Sequence, residues 1–264
     1  MLNLNKVGRP IARIDKGKYN GMVVSVTEQF QNNDDKEEKD GLMKEFKRLR
    51  ISNDSKFQQV ANTTKEREIL YITGCSGSGK STYTRKFIEE LRKVKKDIPI
   101  YLFSALPDDE SLDSVKPKRV ILDDSLIDDP IDIREFADSV IMFDDVDVLT
   151  NKKIREEVYK IMNQGLEIGR HYRINMVITN HLPSNGKETR RILNESSSFT
   201  FFIHSSNAKI RYFLENYVGI DRKMINYFKK LNSRAVTIFK NYPMIYLCDH
   251  EVGLVSAFDD DEDK

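Results

Sequence analysis

The chain has 264 residues, which suits one α/β domain with appendages better than two full domains. Its 43 lysines and arginines nearly balance 42 aspartates and glutamates, so the net charge of +1 neither favours nor excludes a polyanionic partner. The two cysteines suggest neither a disulfide framework nor a metal site, and no apolar run reaches about 20 residues, so we expect a soluble, intracellular protein.

The first 67 residues are predicted to form an extension of the main domain. Residues 21–26 have the composition of a short strand, and the polar run 31–41 is predicted to be a linker. The basic stretch 44–50 is compatible with a helix whose charged face lies in solvent.

From residue 68 onward, short apolar segments alternate with amphipathic ones. Predicted strands cover residues 68–73, 98–106, 119–122, 139–143, 174–179, 199–203, 234–239 and 244–247. Predicted helices cover residues 81–96, 152–168, 188–194, 208–218 and 221–231. This alternation indicates an α/β fold with a mostly parallel sheet flanked by helices. We assign residues 68–250 to this domain and residues 251–264 to an acidic, disordered tail.

The segment after the first of these strands matches the phosphate-binding P-loop pattern at every fixed position. It consists of Gly74, Cys75, Ser76, Gly77, Ser78, Gly79, Lys80 and Ser81, followed by Thr82. Glycines let backbone amides approach phosphate oxygens, and the helix that follows directs its positive end at the nucleotide. In such a loop Lys80 contacts the β- and γ-phosphates and Ser81 ligates Mg²⁺. The sequence therefore predicts ATP and Mg²⁺ as cofactors.

A carboxylate at the end of a neighbouring strand is needed to complete the magnesium shell. Two acidic pairs qualify: Asp144 and Asp145 follow four apolar residues, whereas the pair at 123–124 follows three. We prefer the first, because a buried parallel strand is a continuous apolar run and this one is longer. Asp144 is then expected to organise the magnesium and Asp145 to polarise the attacking water.

Asn180 and His181 follow the next predicted strand. An amide there can contact both the γ-phosphate and the lytic water, or Asn180 can simply begin a turn before Pro183. His181 is expected to be an ordinary loop residue.

An arginine from a neighbouring subunit often neutralises transition-state charge in motor ATPases. Arginines cluster around the strand that ends at Asn180, and the first choices for this role are Arg170 and Arg191.

Taken in order, these motifs resemble one family. They lie at residues 72–81, 142–145, 169–171, 177–181 and 191–195. Over roughly residues 68–205 the chain resembles the FtsK/HerA superfamily of DNA-pumping ATPases, in the viral genome-packaging branch found in poxviruses and other large DNA viruses.

The resemblance implies a RecA-like core, assembly into a ring that is often hexameric, and translocation of double-stranded DNA into a preformed capsid. It also implies that Asn180 is a polar sensor where many relatives carry Gln, and that Asp145 stands where many carry Glu. Capsid or internal membrane components of a virion are implied as partners. The implied location is the host cytoplasm, a virus factory or the virion itself.

Two other functions remain open from the residues alone. A nucleotide kinase needs an acceptor pocket and usually an arginine-bearing lid, and the sequence has no clear lid insertion. A non-hydrolysing nucleotide switch would not need the acidic pair. Turnover with and without double-stranded DNA separates the three possibilities.

Overall fold

The computed structural model describes residues 1–27, 46–62, 67–183, 186–204 and 207–255. The strands are β1 (Leu2–Asn3), β2 (Arg9–Asp15), β3 (Val23–Val26), β4 (Arg48–Arg50), β5 (Lys56–Gln59), β6 (Ile69–Thr73), β7 (Ile100–Ser104), β8 (Lys118–Arg119), β9 (Val140–Asp144), β10 (Asn175–Asn180), β11 (Ser198–Phe201), β12 (Val236–Phe239), β13 (Ile245–Leu247) and β14 (Glu251–Leu254). The α-helices are α1 (Lys80–Val94), α2 (Glu110–Asp113), α3 (Ser125–Asp128), α4 (Lys152–Ile168), α5 (Lys187–Glu195), α6 (Asn207–Phe213) and α7 (Arg222–Lys230). None of these helices combines the length and the apolarity needed to cross a membrane.

A ten-stranded sheet forms the centre of the molecule, in the order β4-β14-β13-β12-β11-β6-β10-β9-β7-β8. The six strands from β11 to β8 in this order run parallel, and the other four add to the β11 edge in antiparallel fashion. This arrangement confirms the predicted α/β fold with a mostly parallel sheet flanked by helices.

Helices cover both faces of this sheet because each has one apolar face. The apolar side chains of α4 recur every three or four residues and are buried: Ile154, Val158, Ile161, Met162 and Leu166. Asn151 accepts hydrogen bonds from the first backbone amides of α4 and so fixes where that helix begins. On the opposite face, α1 buries Phe87, Ile88 and Leu91. Burying one such side chain contributes about 1.5–3 kcal/mol.

The N-terminal extension is a second, four-stranded antiparallel sheet in the order β1-β3-β2-β5. Its apolar face packs with β12, β13 and β14 in one hydrophobic cluster. An ion pair between Arg13 on β2 and Glu90 on α1 adds a polar contact between this sheet and the central domain. The predicted strand at 21–26 is present as β3, and the predicted linker at 31–41 lies outside the described residues.

Two of the predicted boundaries need correction. The helix predicted at 44–50 is wrong for the described residues, because Arg48–Arg50 form β4 and pair with β14. The tail predicted from 251 begins too early, since Glu251–Leu254 form the buried strand β14. Strand β4 pairs with β14, which lies about 200 residues away in sequence, and β14 also pairs with the neighbouring strand β13. The rest of the predicted tail, from residue 256, lies outside the described residues.

A buried carboxylate joins β14 to its surroundings. Glu251 accepts hydrogen bonds from the hydroxyls of Tyr246 and Tyr227 and pairs with the guanidinium of Arg50. Burial raises the pKa of Tyr246, so this hydroxyl keeps the proton that it donates. The cluster therefore holds β4, β13, β14 and α7 together through one side chain.

We predict that Glu251→Ala lowers the free energy of unfolding by about 2 kcal/mol, because the buried Tyr246 hydroxyl and the partly buried Tyr227 hydroxyl lose their acceptor. Urea denaturation measures the change. The control is Glu156→Ala on α4, where the side chain is 58% exposed and its pair with Lys152 is worth less than about 1 kcal/mol. Equal losses in the two variants would contradict the prediction.

Candidate active site

The parallel register brings the candidate residues to one edge of the sheet. Strand β10 lies between β6 and β9, with Asn180 opposite Thr73 and Thr179 opposite Asp144. On the far side of β9, Ser104 of β7 is also opposite Asp144. Because carboxyl ends of parallel strands meet at the same edge, the loop after β6 and the polar ends of β7, β9 and β10 come together.

The loop after β6 has the backbone shape of a phosphate cradle. Gly77 and Gly79 have positive φ angles of 73° and 112°, which side chains rarely permit. A Cβ atom on Gly74 would lie 2.6 Å from the hydroxyl of Ser78, so only glycine fits there. Helix α1 begins at Lys80 with neither a side-chain cap nor an acidic residue in its first turn. Its first backbone amides are therefore available to an anion.

Lys80 lies buried at the centre of the site, only 7% exposed. Its Nζ donates to the carbonyl oxygen of Gly74 at 3.1 Å. The same nitrogen is 3.5 Å from Oδ2 of Asp145 and 3.3 Å from Nδ1 of His181. A desolvated ammonium here interacts more strongly with a bound anion than it would in water.

Asp144 ends β9 as a buried carboxylate held by two hydroxyls. Thr179 Oγ1 donates to one oxygen at 2.8 Å and Ser104 Oγ donates to the other at 3.1 Å. Burial raises the pKa of Asp144, and the neighbouring charge of Asp145 raises it further, while the two hydroxyls act in the opposite direction. A cation beside this carboxylate would relieve the cost of keeping it ionised.

Asp145 occupies the left-handed region of backbone conformation, with a φ angle of 47°. Its backbone amide is 3.2 Å from both the carbonyl oxygen and the hydroxyl of Thr179, which holds this conformation in place. Oδ2 of Asp145 lies 3.0 Å from Nε2 of His181. Non-glycine residues held in this region are typical of functional sites.

Asn180 is buried and joins the phosphate loop to the next segment. Its carbonyl oxygen accepts from the Gly74 amide at 3.2 Å, and its Nδ2 donates to the Tyr71 hydroxyl at 3.4 Å. That hydroxyl donates onward to the carbonyl oxygen of Leu182 at 3.0 Å. Oδ1 of Asn180 is buried and has no hydrogen-bond partner among the residues that the structure describes. A buried orphan acceptor costs stability, and a bound ligand or water would satisfy it.

Four residues of the site were missed by the sequence analysis. Ser104 lies inside the strand predicted at 98–106 and became a strand end only in the structure, where β7 stops at that residue. Tyr71 appears in the sequence as an ordinary strand residue. Phe202 packs against Gly74, and Arg234 donates from Nη2 to the carbonyl oxygen of Ser78 at 3.1 Å. Phe202 directly follows β11 and Arg234 precedes β12, and no motif marks either residue.

Other predicted residues lie farther from this cluster or at its surface. Arg170 is exposed beyond α4, near the amino end of β10, which is the opposite edge of the sheet. Arg191 on α5 pairs with Glu167 at 3.6 Å. Neither arginine reaches the phosphate loop of its own chain, so a role in a neighbouring subunit stays a prediction. Cys75, Ser76 and Thr82 are exposed on the loop and the first turn of α1.

The competing acidic pair lies at the far end of the sheet. Asp123 and Asp124 are exposed and follow the edge strand β8. Two strands, β9 and β7, lie between β8 and β10. Asp123 accepts hydrogen bonds from Ser125 and so belongs to a surface turn. The structure thus favours Asp144 and Asp145 over this pair.

The donor set fits Mg·ATP. The open amides of α1 and the Lys80 ammonium suit phosphates, while the Ser81 hydroxyl and the Asp144 carboxylate are the hard oxygen ligands that magnesium prefers. Among the described residues, no group of three or more His, Cys, Asp or Glu side chains is placed to hold a metal.

Comparison with known proteins gives one relative over nearly the full length. The uncharacterized protein V3 of Sputnik virophage is 38% identical over 245 residues, which cover 92% of this chain and 94% of V3. A family model described as the N-terminal region of nephrocystin 3 matches residues 49–178.

Among solved structures, the chain is similar to ATPases. The cytoplasmic domain of the type VII secretion ATPase EccC from Thermomonospora curvata aligns with a TM-score of 0.50 and 11% identity, over 77% of this chain and 28% of that one. B204, the DNA-packaging ATPase of Sulfolobus turreted icosahedral virus, aligns with a TM-score of 0.49 and 14% identity, over 70% of this chain and 98% of that one. At this identity the likeness to EccC shows a shared fold. The fold and the viral relative agree with the predicted resemblance to the FtsK/HerA superfamily.

We predict that Asp144→Asn raises the Tm at pH 7–8. Because burial raises the folded-state pKa of this carboxyl above its unfolded value, its ionised form destabilises the fold, and a neutral amide removes that cost. The gain is expected to shrink as pH falls, since the wild-type carboxyl then takes up its proton. Calorimetric melting from pH 8 to pH 4 checks this, with exposed Asp124→Asn as the control. A loss of stability at pH 8 would contradict the prediction.

Proposed function

The chain belongs to the family of the Sputnik virophage protein V3, and we propose that it is an ATP-driven motor that moves double-stranded DNA into a viral capsid. The observation that carries the proposal is the cluster at one sheet edge: Lys80 of the glycine loop lies 3.5 Å from Asp145, beside Asp144 and Asn180. The fold shared with the secretion ATPase EccC supports nucleotide hydrolysis.

ATP binding follows from the chemistry of the loop. The backbone amides from Gly74 to Ser81 surround the phosphates, and the ammonium of Lys80 contacts the β- and γ-phosphates. Ser81 and Asp144 are the residues that would hold a magnesium ion, which would neutralise charge on the phosphate oxygens. Cys75, Ser76 and Thr82 contribute backbone or surface contacts at the mouth of the loop.

Hydrolysis is assigned to the polar ends of β9 and β10. Asp145 accepts a proton from the attacking water, and Asn180 orients that water with its unpartnered amide oxygen. The Asn180 amide also contacts Tyr71, whose hydroxyl binds the next loop, so a change at the γ-phosphate can reach that loop. An arginine from a neighbouring subunit, with Arg170 and Arg191 as candidates, would stabilise the transition state.

DNA translocation is supported by the order of the motifs and by their resemblance to the viral packaging branch. Motors of that branch act as rings on duplex DNA. In a ring, Arg170 and Arg191, which do not reach the phosphate loop of their own chain, could contact the site of a neighbouring subunit. We infer that the chain forms a homo-oligomeric ring that acts on double-stranded DNA. The ring would work in the host cytoplasm or virus factory, docked on capsid or internal membrane components.

ATP turnover with and without double-stranded DNA tests the proposal. We expect double-stranded DNA to stimulate hydrolysis. Lys80→Ala is expected to reduce kcat by about a hundredfold or more, because the negative charge of the β- and γ-phosphates is left uncompensated. Transfer of phosphate to an added nucleotide would instead indicate a kinase. Binding without turnover would indicate a nucleotide switch, and wild-type turnover in Lys80→Ala would remove the site assignment.

We predict that Asp145→Asn keeps ATP affinity within about threefold while kcat falls by about 10²–10⁴, the usual effect of losing a general base. Equilibrium binding of a fluorescent ATP analogue and steady-state phosphate release measure the two quantities. Asp124→Asn is the matched control on the competing pair and is expected to behave as wild type. If Asp124→Asn alone stops hydrolysis, the wrong strand has been chosen.

A further inference from the structure

His181 lies between the two charged groups of the site. Its Nε2 is 3.0 Å from Oδ2 of Asp145, and its Nδ1 is 3.3 Å from Nζ of Lys80. We propose that His181 is a positioning residue that holds the Asp145 carboxylate in the orientation needed to activate water. This inference rests on the proposed function, and it replaces the expectation that His181 is an ordinary loop residue.

The hydrogen-bond donors around the ring select one form of the imidazole. An ammonium has only donors, so Nδ1 must accept from Lys80, and a carboxylate has only acceptors, so Nε2 must carry the proton that faces Asp145. The neutral Nε2–H tautomer satisfies both contacts at once. A doubly protonated ring would place a second N–H against the ammonium of Lys80.

The backbone around His181 is fixed on both sides. The carbonyl oxygen of Asn180 accepts from the Gly74 amide at 3.2 Å, and the carbonyl oxygen of Leu182 accepts from the Tyr71 hydroxyl at 3.0 Å. The His181 side chain is 32% exposed, so two thirds of it is covered. A ring on a backbone held in this way can orient a neighbour with little loss of entropy on binding.

Asp145 needs His181 as a hydrogen-bonding partner because Lys80 is expected to bind the nucleotide phosphates. In the proposed function the Lys80 ammonium contacts the β- and γ-phosphates, which draws it away from Asp145. Besides Lys80, Oδ2 of Asp145 faces His181, while the Thr179 hydroxyl is 3.5 Å from Oδ1, at the limit of a hydrogen bond. His181 therefore keeps the carboxylate oriented while nucleotide is bound.

The test separates orientation from binding. We expect His181→Ala to lower kcat by about tenfold to a hundredfold, the usual cost of losing an orienting hydrogen bond, with the Kd for ATP within about twofold of wild type. His181→Gln is expected to recover kcat to within about threefold, because its amide can still donate to Asp145. The matched control is His250→Ala, a histidine next to β14 whose Nδ1 is 2.9 Å from the carbonyl oxygen of Ser55, and it is expected to leave both quantities unchanged.

A second readout does not depend on turnover. Nitrogen-15 NMR of the histidine side chains is expected to show His181 as the Nε2–H tautomer, and Asp145→Asn is expected to shift its ring signals while those of His250 stay unchanged. An Nδ1–H tautomer, or His181 ring signals that do not change in Asp145→Asn, would contradict the contact between His181 and Asp145.

Kinetic outcomes distinguish this inference from the proposed function. Wild-type kcat in His181→Ala, or a His181→Gln variant as slow as His181→Ala, overturns the positioning role and leaves the ATPase assignment standing. A loss of ATP affinity equal to the loss of kcat would assign His181 to phosphate binding instead. A wild-type protein without any ATP turnover would overturn the proposed function and the inference together.

Discussion

The structure depends on the register between three parallel strands. Pairing of β10 with β6 and β9 sets Asn180 opposite Thr73 and Thr179 opposite Asp144, so the glycine loop and the acidic pair share one edge. A shift of one residue would turn each side chain to the other face of the sheet and separate Lys80 from its carboxylates. The buried apolar strands that enforce this register are thus the physical basis of the chemistry proposed at their ends.

The site carries features that cost stability. Asp144 is a buried carboxylate whose pKa is raised by burial, Asp145 has a left-handed backbone, and the amide oxygen of Asn180 is buried without a partner. Each of these is unfavourable by itself, and the surrounding parallel core holds all of them in place. A nucleotide with its cation would satisfy several of them together, which is the balance expected where function has shaped a site at the expense of stability.

The antiparallel half of the sheet and the N-terminal sheet also support the site. Strands β12, β13 and β14 share a hydrophobic cluster with the N-terminal strands, and the loop before β12 brings Arg234 to the carbonyl oxygen of Ser78. Phe202, at the end of β11, closes the loop from the same side by packing on Gly74. Regions outside the recognisable motifs therefore contact the glycine loop and form one side of the proposed nucleotide site.

The sequence by itself determined the α/β class, the helix at Lys152–Ile168, the phosphate loop and the polar strand ends, because each depends on local spacing or on a run of apolar residues. It could not determine β4 and β14, two short strands that pair with each other across about 200 residues of sequence, nor decide firmly between two acidic pairs. Only the tertiary structure placed His181 between Lys80 and Asp145 and left Arg170 at the opposite edge. Those contacts arise from how strands pair across the sheet, and sequence spacing carries no information about distances between side chains 36 or 101 residues apart.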